Sequence, residues 1–242
     1  LASLDREVPL CLLRAPTCFG KSVLVRQWLG EAAGEGRHVA TLRVRSGEGD
    51  QNGFWISLVD ALTDAGIPLP AMANSRSTQS LAARMISTAG NPLTVWIDNF
   101  ENVTVEGADE GLIDLAARVP GLRLIIGMRS CSAFAPHSLR GIPTVTLTAH
   151  DLLFTQDEIT ELFHLAGFEA VDDLAATVHE GLGGWPGMVH ALVEALTHGT
   201  AEDLPALMER VASGWLRELL PRIPSAGLID FALASSVPES VT

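Results

Sequence analysis

The chain has 242 residues, 47% of them hydrophobic and 19% charged, with a formal net charge of −13. That is enough for one large or two modest domains with a real core, and no apolar run approaches the roughly 20 residues that span a bilayer. The acidic balance argues against nucleic-acid binding by this segment, because affinity for a phosphate backbone depends on clustered Lys and Arg.

Cys11, Cys18 and Cys131 are an odd, scattered set without C-x-x-C spacing, so neither a disulfide framework nor a zinc site is expected, and a soluble, cytoplasmic protein fits best. No signal peptide is visible, since Leu1 opens a short segment with Asp5, Arg6 and Glu7. The chain does not begin with methionine and reads as an excerpt.

The first apolar run, Pro9–Leu13, reads as a strand, and Val25, Trp28, Leu29 and Ala32 mark one face of a following helix. Between them lies Ala15-Pro16-Thr17-Cys18-Phe19-Gly20-Lys21-Ser22. A strand, a loop ending Gly-Lys-Ser and a helix form a phosphate-binding arrangement, in which successive backbone N–H groups and the helix N-terminus attract an anion. Gly20 lets the backbone approach, Lys21 supplies a point charge to the β- and γ-phosphates, and the Ser22 hydroxyl completes the coordination of Mg²⁺. Candidate nucleotide contacts are Ala15, Pro16, Thr17, Cys18, Phe19, Gly20, Lys21, Ser22 and Val23. Ala15 stands where the common pattern has glycine. Lys21 is the only lysine in the chain, and it falls where lysine chemistry is required. Cys18 is either an oxidation-sensitive thiol in the loop's positive field or a tolerated variable position.

His38–Val44 reads as a second strand, followed by an exposed polar loop, Ser46–Asn52. The stripe Phe54, Trp55, Leu58, Val59, Leu62 reads as a core-facing helix. Ile67–Ser80 is expected to be a loop, and a short helix through Ala89 is ended by Gly90. Leu93–Asp98 is an apolar strand ending on a carboxylate, and Asp98 is the candidate second Mg²⁺ ligand. Asn99 follows where a second acid would orient or deprotonate water. An amide accepts no proton, so hydrolysis is expected to be slow unless Glu101 or a partner residue substitutes.

A helix over Gly111–Val119 leads to the strand Leu122–Arg129, whose Arg129 either reads the γ-phosphate or sits in a salt bridge. Pro143–Leu147 completes five strands alternating with helices, which predicts a doubly wound parallel sheet over residues 1–150 with ligands at the carboxyl ends of the strands.

From Asp151 the pattern is helical. Thr155 and Glu158 form a capping box ahead of Ile159, Leu162, Phe163 and Ala166, with Gly167 at the end. Val171, Leu174, Ala175 and Val178 mark a second helix, Gly183–Gly187 a break, and Met188, Leu192, Ala195 and Leu196 a third. A fourth, after Thr200, carries Leu204, Leu207, Met208, Val211, Trp215 and Leu219. An all-α domain is expected at 151–222, with 223–242 beginning something further. No H-E-x-x-H or G-x-S-x-G pattern occurs, so metalloprotease and serine-hydrolase readings have no support.

With these residues in place the chain resembles the signal-transduction ATPases with numerous domains (STAND), and within them the MalT-like, LuxR-type transcription regulators. The resemblance rests on Leu12–Pro16 running into Gly20-Lys21-Ser22, Gln27-Trp28-Leu29, Phe54-Trp55, the Asp98 strand, Arg129-Ser130, Asp151-Leu152, Phe154-Thr155 and Gly184-Trp185-Pro186. The family's loop is A-P-x-x-x-G-K-[ST], so Ala15 fits it. The resemblance implies a nucleotide-binding domain, a helical lid whose Pro186 touches adenine, and a winged-helix domain from near Phe231. It also implies a sensor and a DNA-binding helix-turn-helix outside this chain.

The resemblance further implies ATP, ADP and Mg²⁺ as cofactors, self-association of the whole protein, and a nucleotide-dependent switch with weak ATPase activity at most. A conventional ATPase or small-molecule kinase and a scaffold that no longer binds nucleotide are the alternatives. In this sequence Asn99 replaces the family's second acid, and the arginine-bearing segment that usually precedes position 1 is not included.

Overall fold

The structure, a computed structural model, describes residues 4, 7–32, 37–47, 53–70, 77–89, 92–129, 133–199 and 203–219. The chain divides into two compact units, Leu1–Leu152 and Leu153–Thr242. Gly90, Ser130, Cys131 and the stretch 223–242 with the onset near Phe231 lie outside the described residues.

In the first unit, β1 (Leu10–Arg14), β2 (His38–Arg43), β3 (Leu93–Asp98), β4 (Leu122–Met128) and β5 (Thr144–Thr148) form one sheet. Its order is β2-β3-β4-β1-β5, and every pairing is parallel. Strands β3 and β4 are buried at every residue and β1 at all but its last, whereas the edge strands β2 and β5 are partly exposed. That burial explains why the inner strands read as apolar runs and not as alternating patterns. β4 separates β1 from β3, so the loop strand and the Asp98 strand are not neighbours.

Alternate residues of each strand serve opposite faces. Leu10, Leu12, Val95, Ile97, Leu124 and Ile126 pack with Phe54, Leu58, Leu62, Met85 and Leu112 from α2 (Gly53–Asp64), α3 (Thr78–Ser87) and α4 (Ala108–Arg118). On the other face Cys11, Leu13, Trp96, Ile125 and Leu147 pack with Val25 and Trp28 of α1 (Lys21–Ala32). Burial there pushes the Cys11 thiol up to about 11 against the opposing pull of Arg123, so Cys11 behaves as a small apolar side chain. The expected loop over Ile67–Ser80 gives way to helix at Thr78. The Ser77 hydroxyl accepts the Ser80 N–H at 3.2 Å and caps α3, a local bond that outweighs the weak helix preference of Ser and Thr.

The first unit ends in a short turn, His150–Leu152. Asp151 ties this turn to the end of β5 by accepting the Thr148 N–H and hydroxyl, each at 2.7 Å, and these bonds hold its carboxyl below the usual range. In the second unit α5 (Gln156–Leu165), α6 (Asp172–Leu182), α7 (Pro186–Thr197) and α8 (Leu204–Leu219) surround a core that includes Ile159, Phe163, Val178, Val189, Leu192 and Leu207. The capping box is formed: the Thr155 N–H donates to Glu158 Oε2 at 2.8 Å and the Thr155 hydroxyl accepts the Glu158 N–H at 3.3 Å.

Gly184 sits at φ +69°, and a Cβ there would clash with the Phe154 carbonyl oxygen, whose own N–H donates to the Gly184 carbonyl at 2.8 Å. The two motif segments Phe154-Thr155 and Gly184-Trp185-Pro186 therefore meet through their backbones. Gly184→Ala is expected to lower the stability of the second unit by about 1–3 kcal/mol, through overpacking and a disfavoured backbone conformation. Thermal unfolding of this variant beside Gly199→Ala, a glycine at φ +73° with no atom within 4 Å of the added Cβ, separates the clash from the backbone term.

Candidate functional site

The phosphate-loop candidates occupy the carboxyl end of β1 and the start of α1. Ala15 is buried, and its N–H donates to the Met128 carbonyl at 3.2 Å, which fixes the loop's departure from the sheet. Cys18 and Gly20 both take positive φ, 64° and 76°. At Gly20 this conformation favours glycine, and open space lies where a Cβ would project. The Gly20 carbonyl accepts the Val23 and Leu24 N–H groups at 3.0 and 2.9 Å, so the first turn of α1 closes directly behind the loop. The leading N–H groups of such a helix have no intrahelical acceptor and carry its partial positive charge.

Lys21 folds back into the loop. It is 8% exposed, and its Nζ donates to the carbonyls of Ala15 at 2.6 Å and Pro16 at 2.7 Å. Burial lowers its pKa; Glu101 and Asp98 push the other way, and Arg129 adds to the lowering. One lysine, two acids and one arginine thus share a single electrostatic neighbourhood.

The metal-ligand candidates meet directly: Ser22 Oγ donates to Asp98 Oδ2 at 2.7 Å. Asp98 is 4% exposed and reaches Ser22 across β4, the strand between its own and the loop's. It does so over Gly127, where a Cβ would stand 3.1 Å from Asp98 Oδ1. Hydroxyl plus carboxylate is the sparse donor set that suits Mg²⁺, which takes its remaining ligands from phosphates and water. The residues present therefore fit a magnesium nucleotide. Among the described residues no group of three or more His, Cys, Asp or Glu side chains is placed to hold a metal.

Asn99 adopts the left-handed conformation at φ 59°, which Asn and Asp tolerate best among residues with a Cβ. Its N–H donates to Asp98 Oδ1 at 3.0 Å. Arg129 is held by Glu101: Nε lies 2.5 Å from Oε1, and the backbone N–H donates to Oε2 at 3.2 Å. The strand-end arginine is thus salt-bridged in this structure, and Glu101, the substitute base considered from the sequence, is already an acceptor for Arg129.

Three contributors carry no expectation from the sequence. Arg43, opposite Asp98 in the β2–β3 register, places Nε 4.0 Å from Oδ2. Arg14, the last residue of β1, donates to the carbonyls of Ala133 and Phe134 at 2.9 and 2.7 Å, while Asp109 accepts the Phe134 N–H at 3.0 Å, so the chain beyond β4 is pinned beside the loop strand. Gly127 is the third, and an isolated glycine in a buried strand is the signal that marks it. Pro186 belongs to the second unit, where it is buried at the first position of α7, a place that suits proline because that N–H has no helical partner. Among the described residues no helix is long and apolar enough to cross a membrane.

No protein-family model matches the sequence. Over 211 residues, 85% of this chain, it is 30% identical to the HTH-type transcriptional regulator AlkS of Alcanivorax borkumensis, and it spans 23% of that protein's length. Its fold is similar to a STAND protein with a tetratricopeptide repeat sensor from Pyrococcus horikoshii, with a TM-score of 0.62 over 87% of this chain and 31% of that one at 16% identity. It is similar also to the Orc1 protein of Aeropyrum pernix, solved in complex with DNA, with a TM-score of 0.50 over 88% of this chain and 61% of that one at 14% identity. The loop, the parallel five-stranded sheet and these likenesses agree: the chain has the fold of the P-loop ATPases and is a module related to transcriptional regulators.

Proposed function

We propose that this segment is the nucleotide-holding switch of a larger transcription regulator of the MalT-like, LuxR type. It binds ATP or ADP with Mg²⁺, turns ATP over slowly, and through its nucleotide state governs self-assembly of the whole protein in the cytoplasm. The observation that carries this reading is the 2.7 Å hydrogen bond from Ser22 Oγ to Asp98 Oδ2 at the base of the loop, with a neutral amide, Asn99, next in sequence.

In this reading the loop from Ala15 to Val23 cradles the phosphates, Lys21 exchanges its two carbonyl acceptors for phosphate oxygens, and Ser22 and Asp98 hold Mg²⁺. The metal, when bound, neutralises phosphate charge. Arg129 reads the terminal phosphate, which competes with Glu101 for the guanidinium. The role of Pro186 at the adenine rests on the family resemblance. Contact with DNA belongs to a helix-turn-helix outside this chain, in keeping with the net charge of −13 here.

Only a difference in affinity between two states of the protein lets a nucleotide drive a switch. The test is light scattering and sedimentation of the complete protein with ADP and with a non-hydrolysable ATP analogue, beside titration of both nucleotides. Distinct assembly states are expected. Identical assembly with both nucleotides overturns the switch, rapid multiple turnover or phosphate transfer to a metabolite favours a conventional ATPase or kinase, and no binding of either leaves a scaffold.

A further inference from the structure

We infer that Trp96 and Gly127 work as one positioning device that sets where the Asp98 carboxylate stands against Ser22, and with it the grip of the loop on a divalent cation. The inference rests on reading Ser22 and Asp98 as the metal pair.

The strand order creates the need. Asp98 ends β3 and Ser22 lies in the first turn of α1, after β1, so the carboxylate has to pass over β4 to reach the hydroxyl. Strand alternation puts Trp96 and Asp98 on the face that α1 covers, the face of Ile125 and, two residues on, of Gly127. Gly127 is not among the glycines with positive φ, so its backbone does not call for glycine. What it supplies is room. A Cβ at this position would clash with Cη2 of the Trp96 indole and would stand 3.1 Å from both Trp96 Cζ3 and Asp98 Oδ1. The indole edge and the carboxylate therefore converge on the same point above the β4 backbone.

Both groups are sealed from water, Trp96 at 2% and Asp98 at 4% exposure. The carboxylate is anchored by Ser22 Oγ at 2.7 Å and the Asn99 N–H at 3.0 Å, with Arg43 Nε at 4.0 Å. On the Gly127 side the carboxylate and the indole edge both border the space that a Cβ at 127 would take. Adding a methyl group at 127 forces the indole or the carboxylate to move, because a packed interior has no spare volume. Shrinking Trp96 leaves a void at the point above Gly127 that the carboxylate also borders. The two changes have opposite signs in volume, so together they compensate.

The test compares Trp96→Leu, Gly127→Ala and the double variant in the complete protein. The readout is the gain in ATP affinity that Mg²⁺ confers over EDTA, measured by titration calorimetry, with thermal unfolding in parallel. Supporting groups behind a metal ligand typically govern metal affinity by about 10–100-fold, so each single change is expected to cut the Mg²⁺-dependent gain by about tenfold. Affinity in EDTA stays at the parent value, and the double variant recovers most of the loss. A merely structural role lowers the unfolding temperature without moving the Mg²⁺-dependent gain.

A parent protein that binds ATP no better with Mg²⁺ than with EDTA overturns the metal-pair reading itself. A parent that shows the gain, with single variants that keep it, overturns the positioning role alone. If Gly127→Ala does not fold, the other two variants decide: Trp96→Leu that keeps the full gain, or a double variant no better than Trp96→Leu, overturns it.

Discussion

Lys21→Ala is expected to weaken ATP binding by about 10- to 100-fold, the loss of a charge-assisted hydrogen bond contributing about 1.5–3 kcal/mol. Lys21 is the single lysine of the chain, so no second ammonium substitutes for it. Its buried Nζ is already committed to the loop, 2.6 Å from the Ala15 carbonyl and 2.7 Å from that of Pro16. A phosphate replaces these neutral acceptors by charged ones, and charge-assisted hydrogen bonds are roughly twice as strong as neutral pairs.

Burial lowers the lysine's pKa, while the carboxylates of Glu101 and Asp98 oppose that shift. Truncation leaves two loop carbonyls without this donor, and unfolding without nucleotide serves as the control for a general loss of stability. Lys21→Arg is not a conservative rescue, because a planar fork replaces a compact ammonium. Calorimetric titration with ATP decides the matter: affinity equal to the parent's removes the loop from the phosphate site.

Asn99→Asp is expected to raise the rate of ATP hydrolysis by about 100-fold or more, the range that a positioned general base contributes. The backbone accepts the change, since aspartate tolerates the left-handed conformation that Asn99 adopts at φ 59°. What changes is the ability to take a proton from water. Nucleotide affinity should stay within a few-fold of the parent's, although a second carboxylate beside Asp98 makes it somewhat harder for both to ionise. Phosphate release under multiple turnover is the measurement. A rate that stays at the parent level shows that the amide at 99 is not what limits turnover, and shifts attention to Glu101, whose carboxylate is engaged with Arg129.

These two expectations differ in how much tertiary structure they need. The surroundings of Lys21 are legible in the chain because they are contiguous: β1 ends at Arg14, a six-residue loop follows, and α1 starts at Lys21. The inner strands were readable because burial on both faces leaves uninterrupted apolar runs, and the capping box at Thr155 because its two partners are three residues apart. The amide at Asn99, next after the Asp98 strand, is legible in the sequence, whereas its left-handed backbone is not. The helix start at Ser77 was missed because one hydroxyl-to-amide bond decides it.

The remainder of the site has no imprint in residue spacing. Glu101 and Arg129 are 28 positions apart, and Arg43 faces Asp98 only because β2 pairs with β3. Gly127 becomes meaningful only when β4 is found between β1 and β3, so that a carboxylate passes over it. Residues near in sequence meet whatever the global arrangement, and loops, caps and helix faces can therefore be read from the chain. The order of parallel strands is chosen by long-range backbone pairing and by the packing of helices on both faces, and that choice brought Ser22, Asp98, Trp96 and Gly127 to one place.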